Sequence, residues 1–313
     1  MIDAFLLKSL LNAVEPGTRL VFTGDCDQLP SVGPGNVLKD MIKSGYISVC
    51  RLKEVFRQKG NIAFNAHLIN EGKMPDLFSA GDFIFIPAVS AEDTLDKVLK
   101  LYGDEIKNGV KADELQVICP LKRGKIGVYE INAQIRDREN PMLLSKNEIK
   151  YGETLFREGD KIMQTRNNYS KEWFIKGRLK QLSKGTGVFN GDMGVINSID
   201  PEDGALELVF DDERVCEYDK NELDQIEHAY AVTVHKSQGS EFETVIIPLF
   251  YGKSPFLSRN LIYTAVTRAK KKLIIIGVKS ALEHMVKNNS IAHRFTALDY
   301  EMKKYAELFS KNE

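Results

Sequence analysis

Short apolar runs alternate with segments of helical periodicity along most of the chain. The runs at 82–88, 114–120, 231–235, 244–250 and 272–278 are typical of buried strands. The segments between them place apolar side chains on one helical face at 91–108, 124–139 and 258–270. This order predicts an α/β fold, in which crossover helices connect the strands of a parallel sheet.

The N-terminal part follows the same order. Residues 3–14 predict a helix that Pro16-Gly17 ends, residues 19–23 predict a short buried strand, and residues 35–44 predict a helix ending near Gly45. We therefore expect this part to belong to a parallel sheet as well.

The pattern changes between residues 151 and 225. Short alternating runs replace the helical segments, and Asn190-Gly191 and Asp203-Gly204 are turn pairs of the hairpin type. The segment predicts a small antiparallel β module, or barrel, inserted into the α/β chain. We therefore divide the chain into 1–60, an α/β unit made of 61–150 and 226–313, and the module 151–225.

The composition is that of an ordinary globular protein. The chain has 313 residues, 28% of them charged, and a formal net charge of -1, so any nucleic-acid contact must come from a local patch. Its four cysteines form no CxxC pair and its five histidines show no metal-ligand spacing, so we predict no metal site. No apolar stretch reaches the length of a membrane span and no export signal begins the chain, so we expect a cytoplasmic protein.

Two polar clusters follow predicted strands. In "GDCDQLPSVG" (24–33), two carboxylates and an amide, those of Asp25, Asp27 and Gln28, follow an apolar run. In "YAVTVHKSQGSEF" (230–242), polar side chains of different hydrogen-bonding type surround one glycine: Thr233, His235, Lys236, Ser237, Gln238, Ser240 and Glu241. For any one of these residues a polar turn is the simpler interpretation, but the whole cluster at a strand end indicates a phosphate site.

Two arginines are further candidates. Arg268 lies near the end of the predicted helix 258–270 and beside a buried strand, where a guanidinium could reach a transferring phosphate. Arg57 in "LKEVFRQKGNI" (52–62) follows an apolar ridge, and taken alone it is an ordinary surface arginine. A phosphate-binding loop is not among these motifs, because "YGKSP" (251–255) has Ile247 where that loop requires glycine.

Taken in order, four stretches resemble helicase motifs III, IV, V and VI of superfamily 1, in the RecD-like branch that includes the alpha subunit of exodeoxyribonuclease V. They are "GDCDQLPSVGPGNVLKD", "VFRQ", "AVTVHKSQGSEF" and "LIYTAVTRAK". The stretches "PLKRGKIGVYEIN" and "GDKIMQTRNNY…GVFNGDMG" are similar to those that flank and open the β insert of this family.

The resemblance implies a RecA-like sheet of the P-loop NTPase type with an SH3-like insert. It further implies an ATP-dependent helicase or translocase that moves 5′ to 3′ on single-stranded DNA. Gln28, Arg57 and Arg268 would be the catalytic residues, with Asp25, Gln238 and Glu241 beside the nucleotide. Thr233, His235, Lys236 and Ser237 would face the DNA. ATP and Mg²⁺ would be the cofactors of the full-length protein, and nuclease or helicase subunits are partners in some members.

The chain departs from the family pattern in lacking the Walker A loop and the acidic pair of motif II. Met1-Ile2-Asp3 resembles the residues just after motif II. We therefore expect a chain that starts after motif II and whose partner is a first RecA-like half that is absent here. Without the phosphate-binding loop, we expect the chain to hold no nucleotide firmly. Residues 170–187 form a second departure, a basic extension that could touch a phosphate backbone or remain a solvated loop.

Two other functions remain open from the sequence. The chain could be a motorless module that binds single-stranded nucleic acid or a partner. It could also be a Mg²⁺ phosphohydrolase that uses Asp25 and Asp27, but further carboxylates would be needed at neighbouring strand ends, and only Glu241 is available there.

Overall fold

The computed structural model describes residues 2–52, 60–78, 81–176, 182–251, 254, 256–290, 294 and 296–310. Its strands are, in chain order, β1 (Phe83–Pro87), β2 (Leu115–Cys119), β3 (Glu148–Tyr151), β4 (Thr154–Arg157), β5 (Lys161–Gln164), β6 (Asn168–Lys176), β7 (Leu182–Val188), β8 (Met193–Ile199), β9 (Leu206–Phe210), β10 (Val215–Tyr218), β11 (Ile226–His228), β12 (Ala231–Thr233), β13 (Phe242–Leu249) and β14 (Ala269–Gly277).

The helices are α1 (Ala4–Ala13), α2 (Val37–Ser44), α3 (Asn61–Asn70), α4 (Ala91–Lys107), α5 (Val128–Glu139), α6 (Arg259–Val266), α7 (Lys279–Lys287) and α8 (Leu298–Ser310), with a 3₁₀ helix at Lys220–Gln225. Within the described ranges, no helix has the length and the apolar character that a membrane crossing requires.

A five-stranded parallel sheet forms the centre of the α/β part. The strands lie in the order β1-β14-β13-β2-β12, and every pair is parallel. Helices α3, α6 and α7 pack on one face, and α4 and α5 pack on the other. The five strands predicted for the α/β unit are confirmed, and so is the α/β class.

Two helix boundaries differ from the prediction. The helix predicted over 124–139 begins at Val128, because the backbone of Gly127, the N-cap residue, is extended (φ -85°, ψ 165°). The helix predicted over 258–270 ends at Val266, and β14 already begins at Ala269. Arg268 therefore lies in the short connection between a helix and a buried strand.

The strand predicted over residues 19–23 is wrong. This segment is neither strand nor helix, and Val21 is 79% exposed. A strand is held by hydrogen bonds to a neighbouring strand, and no strand in the described part of the chain pairs with these residues. The flanking helices, by contrast, form as predicted, as α1 and α2.

The inserted module is an antiparallel sheet of seven strands, in the order β11-β5-β8-β9-β10-β6-β7. Strands β8 and β9 pair across the turn at Asp203-Gly204, as predicted. The described parts of the basic extension pair as β6 and β7, and residues 177–181 lie outside the described residues. Lys171 is held internally, by Glu222 and by the ring of Tyr218, 4.3 Å from its Nζ.

A buried lysine joins the module to the parallel sheet. The Nζ of Lys161 in β5 donates to the carbonyl oxygens of Ala112 and Leu115 at 2.7 and 3.1 Å, and to Oε1 of Gln116 at 3.1 Å. Burial lowers the pKa of Lys161 to about 8, although Asp211 and Asp113 act in the opposite direction. The N–H groups of a buried ammonium must be hydrogen-bonded. These bonds therefore hold strand β5 of the module in a fixed position relative to β2.

The C-terminal helix returns to the N-terminal part of the chain. Leu298 and Met302 of α8 pack against the small core of Leu7, Val37 and Met41. The ammonium of Lys43 in α2 pairs with the carboxylate of Asp299 at 2.7 Å. Arg294, which precedes α8, donates to the carbonyl oxygen of Gly35 at 2.9 Å. These contacts connect both ends of the described chain.

Candidate nucleotide and nucleic-acid site

Residues 25–29, here called the cleft loop, are hydrogen-bonded to helix α6. The backbone N–H of Leu29 donates to Oγ1 of Thr264 at 2.9 Å. The side-chain amide of Asn260 donates to the carbonyl oxygen of Asp27 at 2.6 Å. These bonds join segments more than 200 residues apart in the sequence, so the loop has a defined position against the second part of the chain.

Residues 234–240, here called the glycine turn, contact the same loop. The turn follows β12 at the carboxyl end of the parallel sheet, where the backbone of Val234 donates to the carbonyl oxygen of Cys119 at 3.2 Å. From this turn the side-chain amide of Gln238 donates to the carbonyl oxygen of Leu29 at 3.0 Å. The carboxyl end of an open parallel sheet is the usual location of ligand sites in α/β proteins.

Gln28 bridges Asp25 and Arg268. Its amide nitrogen donates to the Asp25 carboxylate at 3.1 Å, and its amide oxygen accepts from Nη2 of Arg268 at 3.3 Å. Arg268 is only 5% exposed, and its guanidinium also donates to the carbonyl oxygens of Thr264 and Ser240 at 3.1 and 3.0 Å. These contacts aim a buried positive charge at the cleft loop.

Asp25 has a second partner that the sequence patterns did not single out. The hydroxyl of Tyr263 in α6 donates to its carboxylate at 3.1 Å. Burial, followed by the nearby carboxylate of Asp25, raises the pKa of Tyr263, so the hydroxyl stays protonated and can donate. In the sequence, the signal for Tyr263 was its position in α6, three residues after Asn260 and one before Thr264.

Glu241 lies at the flank of this cluster. The N–H of the next residue, Phe242, donates to the carbonyl oxygen of Arg268 at 2.9 Å. The Glu241 carboxylate lies 3.9 Å from the ammonium of Lys270. Arg57, the other predicted arginine, lies outside the described residues.

Two of the four predicted DNA-facing residues hold the glycine turn itself. The hydroxyl of Ser237 is buried and donates to the carbonyl oxygen of Val234 at 2.9 Å. Oγ1 of Thr233 accepts from the backbone N–H of Lys236 at 3.3 Å, and its side chain is also buried. These hydroxyls shape the turn that carries His235 and Lys236.

His235 and Lys236 form the accessible part of the cluster. His235 is exposed, yet the surrounding protein desolvates its ring, and this desolvation together with the charge of Lys122 lowers its pKa. Lys236 pairs with Glu227 of β11, and both side chains stay partly exposed. A neutral imidazole and an ammonium can both bond a phosphate or a base edge.

A basic loop, which the sequence analysis did not assign to the site, lies next to His235. Lys122, Arg123 and Lys125 are all exposed and follow β2. Because Cys119 and Thr233 pair in parallel register, the loop after β2 and the glycine turn leave the same edge of the sheet. The signal was present in "PLKRGKIG", where the cationic residues follow directly after a buried strand.

The residues fit only part of a nucleotide site. Arg268, Gln28 and Asn260 offer donors at one cleft, as the terminal phosphate of ATP would require. Within the described ranges no group of three or more His, Cys, Asp or Glu side chains could hold a metal ion. The carboxylate of Asp27 is engaged within the protein, where it accepts from the side-chain amide of Asn70 at 3.0 Å.

Three family models match successive parts of the chain. An AAA domain matches residues 1–84, an ATP-dependent RecD-like DNA helicase SH3 domain matches residues 131–210, and a UvrD-like helicase C-terminal domain matches residues 228–276. The chain is also 32% identical over 282 residues to the ATP-dependent RecD2 DNA helicase of Deinococcus radiodurans, which covers 89% of this chain. The chain belongs to the RecD-like helicase family.

Other RecD-like relatives align over a similar extent. The RecBCD enzyme subunit RecD of Mycolicibacterium smegmatis is 29% identical over 309 residues, or 93% of this chain. The chain spans 35% of the Deinococcus relative and 51% of the mycobacterial one. The five-stranded parallel sheet and the match to the SH3 domain model confirm the α/β fold with an SH3-type insert that the motifs predict.

Proposed function

We propose that this RecD-like chain supplies the second half of an ATP-driven motor on single-stranded DNA, acting as a helicase or translocase. One observation carries the proposal. The buried guanidinium of Arg268 reaches Gln28, while Gln238 of the glycine turn reaches the same loop. One loop thus contacts both a candidate arginine finger and the segment that carries the DNA-facing residues.

Each residue near the nucleotide has a role in this proposal. Arg268 is the arginine finger, which stabilises charge on the transferring phosphoryl group and is worth about 10³-fold or more in rate. Gln28 orients the attacking water or the γ-phosphate without adding negative charge, and Asp25 fixes the amide of Gln28. Arg57 is a second phosphate contact. ATP, when bound with Mg²⁺, supplies the free energy through phosphoryl transfer to water.

Coupling between nucleotide and DNA would run through the glycine turn. Gln238 contacts the cleft loop, and Lys236 and His235, the proposed DNA contacts, precede it by only two and three residues. A shift of the cleft loop on closure would therefore move the DNA-facing residues with it. Thr233 and Ser237 keep the turn rigid, and Glu241 anchors its far end.

The remaining parts of the proposal come from the relatives. The Deinococcus relative is described as an ATP-dependent DNA helicase, and several others as subunits of the RecBCD enzyme. We extend to this chain the 5′ to 3′ polarity implied by the motifs, a cytoplasmic location and an association with partner subunits. The phosphate-binding loop and the metal ligands would come from a first RecA-like half, so we expect no ATP turnover by these 313 residues alone.

The test joins this chain to a first RecA-like half that carries Walker A and Walker B motifs. Single-strand-stimulated ATPase is compared for wild type, Arg268→Ala and Lys271→Ala, the last being a control for a 78% exposed cation nearby. We expect Arg268→Ala to lower kcat about 10³-fold while KM for ATP changes little. Unchanged turnover in that variant, or robust turnover by the 313 residues alone, would refute the assignment.

A further inference from the structure

Two exposed aromatic rings lie side by side on the antiparallel module. Tyr169 is the second residue of β6 and is 70% exposed, and Phe189 follows β7 and is 42% exposed. Their ring centroids are 5.7 Å apart and the ring planes are inclined by 71°. Water contact of large apolar rings is unfavourable, so a pair held in this way indicates a ligand with flat apolar faces.

The two loops that carry the rings are tied together. The backbone of Asn190 donates to the side-chain oxygen of Asn167 at 3.0 Å, and the backbone of Gly191 donates to the carbonyl oxygen of Gln164 at 2.9 Å. Below the rings, Gly187 has a φ of 106°, and a Cβ there would lie 3.0 Å from the ring of Phe189. The rings are therefore preorganised, which lowers the entropic cost of binding.

The pair continues the proposed DNA surface of the glycine turn. The backbone of Thr165, four residues before Tyr169, donates to the carbonyl oxygen of Gln225 at 2.7 Å. Two residues further along, about 7 Å in extended chain, Glu227 of β11 pairs with Lys236. The edge formed by β11 thus connects the glycine turn with the loop that leads to the aromatic rings.

The charges along this edge fit a phosphate backbone. Arg166 stands between Thr165 and the rings, and its guanidinium pairs with Asp224 at 2.9 Å with both side chains largely exposed. Exposed pairs of this kind contribute little free energy, so a phosphate can replace the carboxylate. A cation beside two stacking surfaces is the usual composition of a single-strand site.

We propose that Tyr169 and Phe189 form a base-stacking site for single-stranded DNA, which extends the surface of His235 and Lys236 onto the inserted module. The inference rests on the proposed function, because it adds a second contact to the same strand. Stacking tolerates every base, so the site would lengthen the footprint of the protein without adding sequence preference.

The experiment measures binding of the 313-residue chain to labelled oligo(dT) by fluorescence anisotropy. The variants are Tyr169→Ala, Phe189→Ala, the double variant, and Phe189→Leu, which keeps an apolar side chain without a ring. Tyr305→Ala, an exposed tyrosine of α8, is the matched control. We expect each alanine variant to bind roughly 5- to 100-fold more weakly, Phe189→Leu to behave like Phe189→Ala, and the control to match wild type.

A second measurement separates stacking from a structural effect. Single abasic sites are moved along the oligonucleotide, and the affinity of wild type and of the double variant is measured for each. We expect one or two positions at which base removal weakens wild type but not the double variant. Identical abasic profiles for the two proteins would overturn the stacking site, as would wild-type affinity of the double variant, the result expected if a protein segment covers the rings.

The outcomes also distinguish the inference from the proposed function. If Lys236→Ala weakens binding and the aromatic variants do not, the stacking site is wrong and the DNA surface of the glycine turn stands. If wild type binds no oligonucleotide, both are wrong. Thermal unfolding of each variant confirms that the comparison is made between folded proteins.

Discussion

Arg268 donates a hydrogen bond to the side-chain oxygen of Gln28 at 3.3 Å, across 240 residues of sequence. On its other side the amide nitrogen of Gln28 donates to Asp25. A guanidinium only donates and a carboxylate only accepts, so a neutral amide is the group that satisfies both neighbours. Replacement of this amide by a carboxylate should therefore remove the hydrogen bond to Asp25 and tighten the contact with Arg268.

Gln28→Glu is expected to lower single-strand-stimulated ATPase about 100-fold or more in a protein that carries the first RecA-like half. The new carboxylate faces Asp25, pairs with Arg268 and repels the γ-phosphate, so the finger is no longer free for the transition state. Steady-state kinetics with ATP is the measurement. Gln28→Met, which adds no charge, serves as the reference, and turnover of Gln28→Glu within twofold of wild type would contradict the assigned role.

Substitutions of Lys236 and Glu227 should have opposite effects on DNA binding. Lys236→Ala should weaken oligo(dT) binding and reduce the slope of log K against log salt by about 0.7, the value for one phosphate contact on a single strand. Glu227→Gln should strengthen binding, because it removes the carboxylate that competes for the ammonium. Titrations at several salt concentrations test both, with Lys8→Ala on α1 as control. An unchanged slope for Lys236→Ala would remove this residue from the DNA surface.

Asn132→Ala should destabilise the fold by about 2–4 kcal/mol. The Asn132 side chain of α5 accepts from the backbone N–H of Ala231 at 2.8 Å and donates to the carbonyl oxygen of Ala231 at 2.9 Å. It thereby pairs the free edge of the three-residue strand β12, and its loss leaves buried backbone groups without a partner. Urea denaturation measures the change, and Gln134→Ala on the same helix should remain within about 0.5 kcal/mol of wild type.

The buried ammonium of Lys161 should make the free energy of unfolding rise with pH. Its pKa is about 8 in the folded protein and about 10.4 when exposed. Between pH 8 and about 10.4 the unfolded chain keeps the proton that the folded protein has lost. The free-energy cost of burying the ammonium is therefore fully present below pH 8, and it decreases above pH 8, which stabilises the folded protein. From pH 7.5 to 9 this amounts to about 1 kcal/mol.

The test compares wild type with Lys161→Met by denaturant unfolding at both pH values. Burial raises the pKa of Cys216 to about 11 and also raises that of Tyr218, and these groups act in the opposite direction as the pH increases. The difference between the two proteins is therefore the informative quantity. If it does not change between pH 7.5 and 9, the buried ammonium does not titrate as inferred.

The sequence predicted the parts of the fold in which local pattern and tertiary structure agree. The stretches 245–249 of β13 and 273–276 of β14 are apolar and buried because both faces of the sheet are covered there. The segment at 19–23 has the same apolar character, but no pattern reports whether a neighbouring strand is present to pair with it. The start of α5 at Val128 depends on the extended backbone of Gly127, which the helical periodicity of 124–139 does not reveal.

The site was predictable to the extent that its motifs are local. Gln28, Gln238 and Arg268 were chosen from three separate stretches, and the structure brings all three to one loop. Sequence could not distinguish Ser237, buried in its own turn, from exposed His235, because both are polar residues of one motif. For Tyr263 the sequence offered only a position in α6, because its contact with Asp25 depends on how α6 is placed against the cleft loop.

Helix α8, which returns to pack on α2, has a consequence for the order of folding. The core of Leu7, Val37 and Met41 receives Leu298 and Met302 from the far end of the chain. Contacts of such large sequence separation form late, because closing a long loop is entropically costly. During synthesis the core formed by α1 and α2 would therefore stay incomplete until α8 has been made.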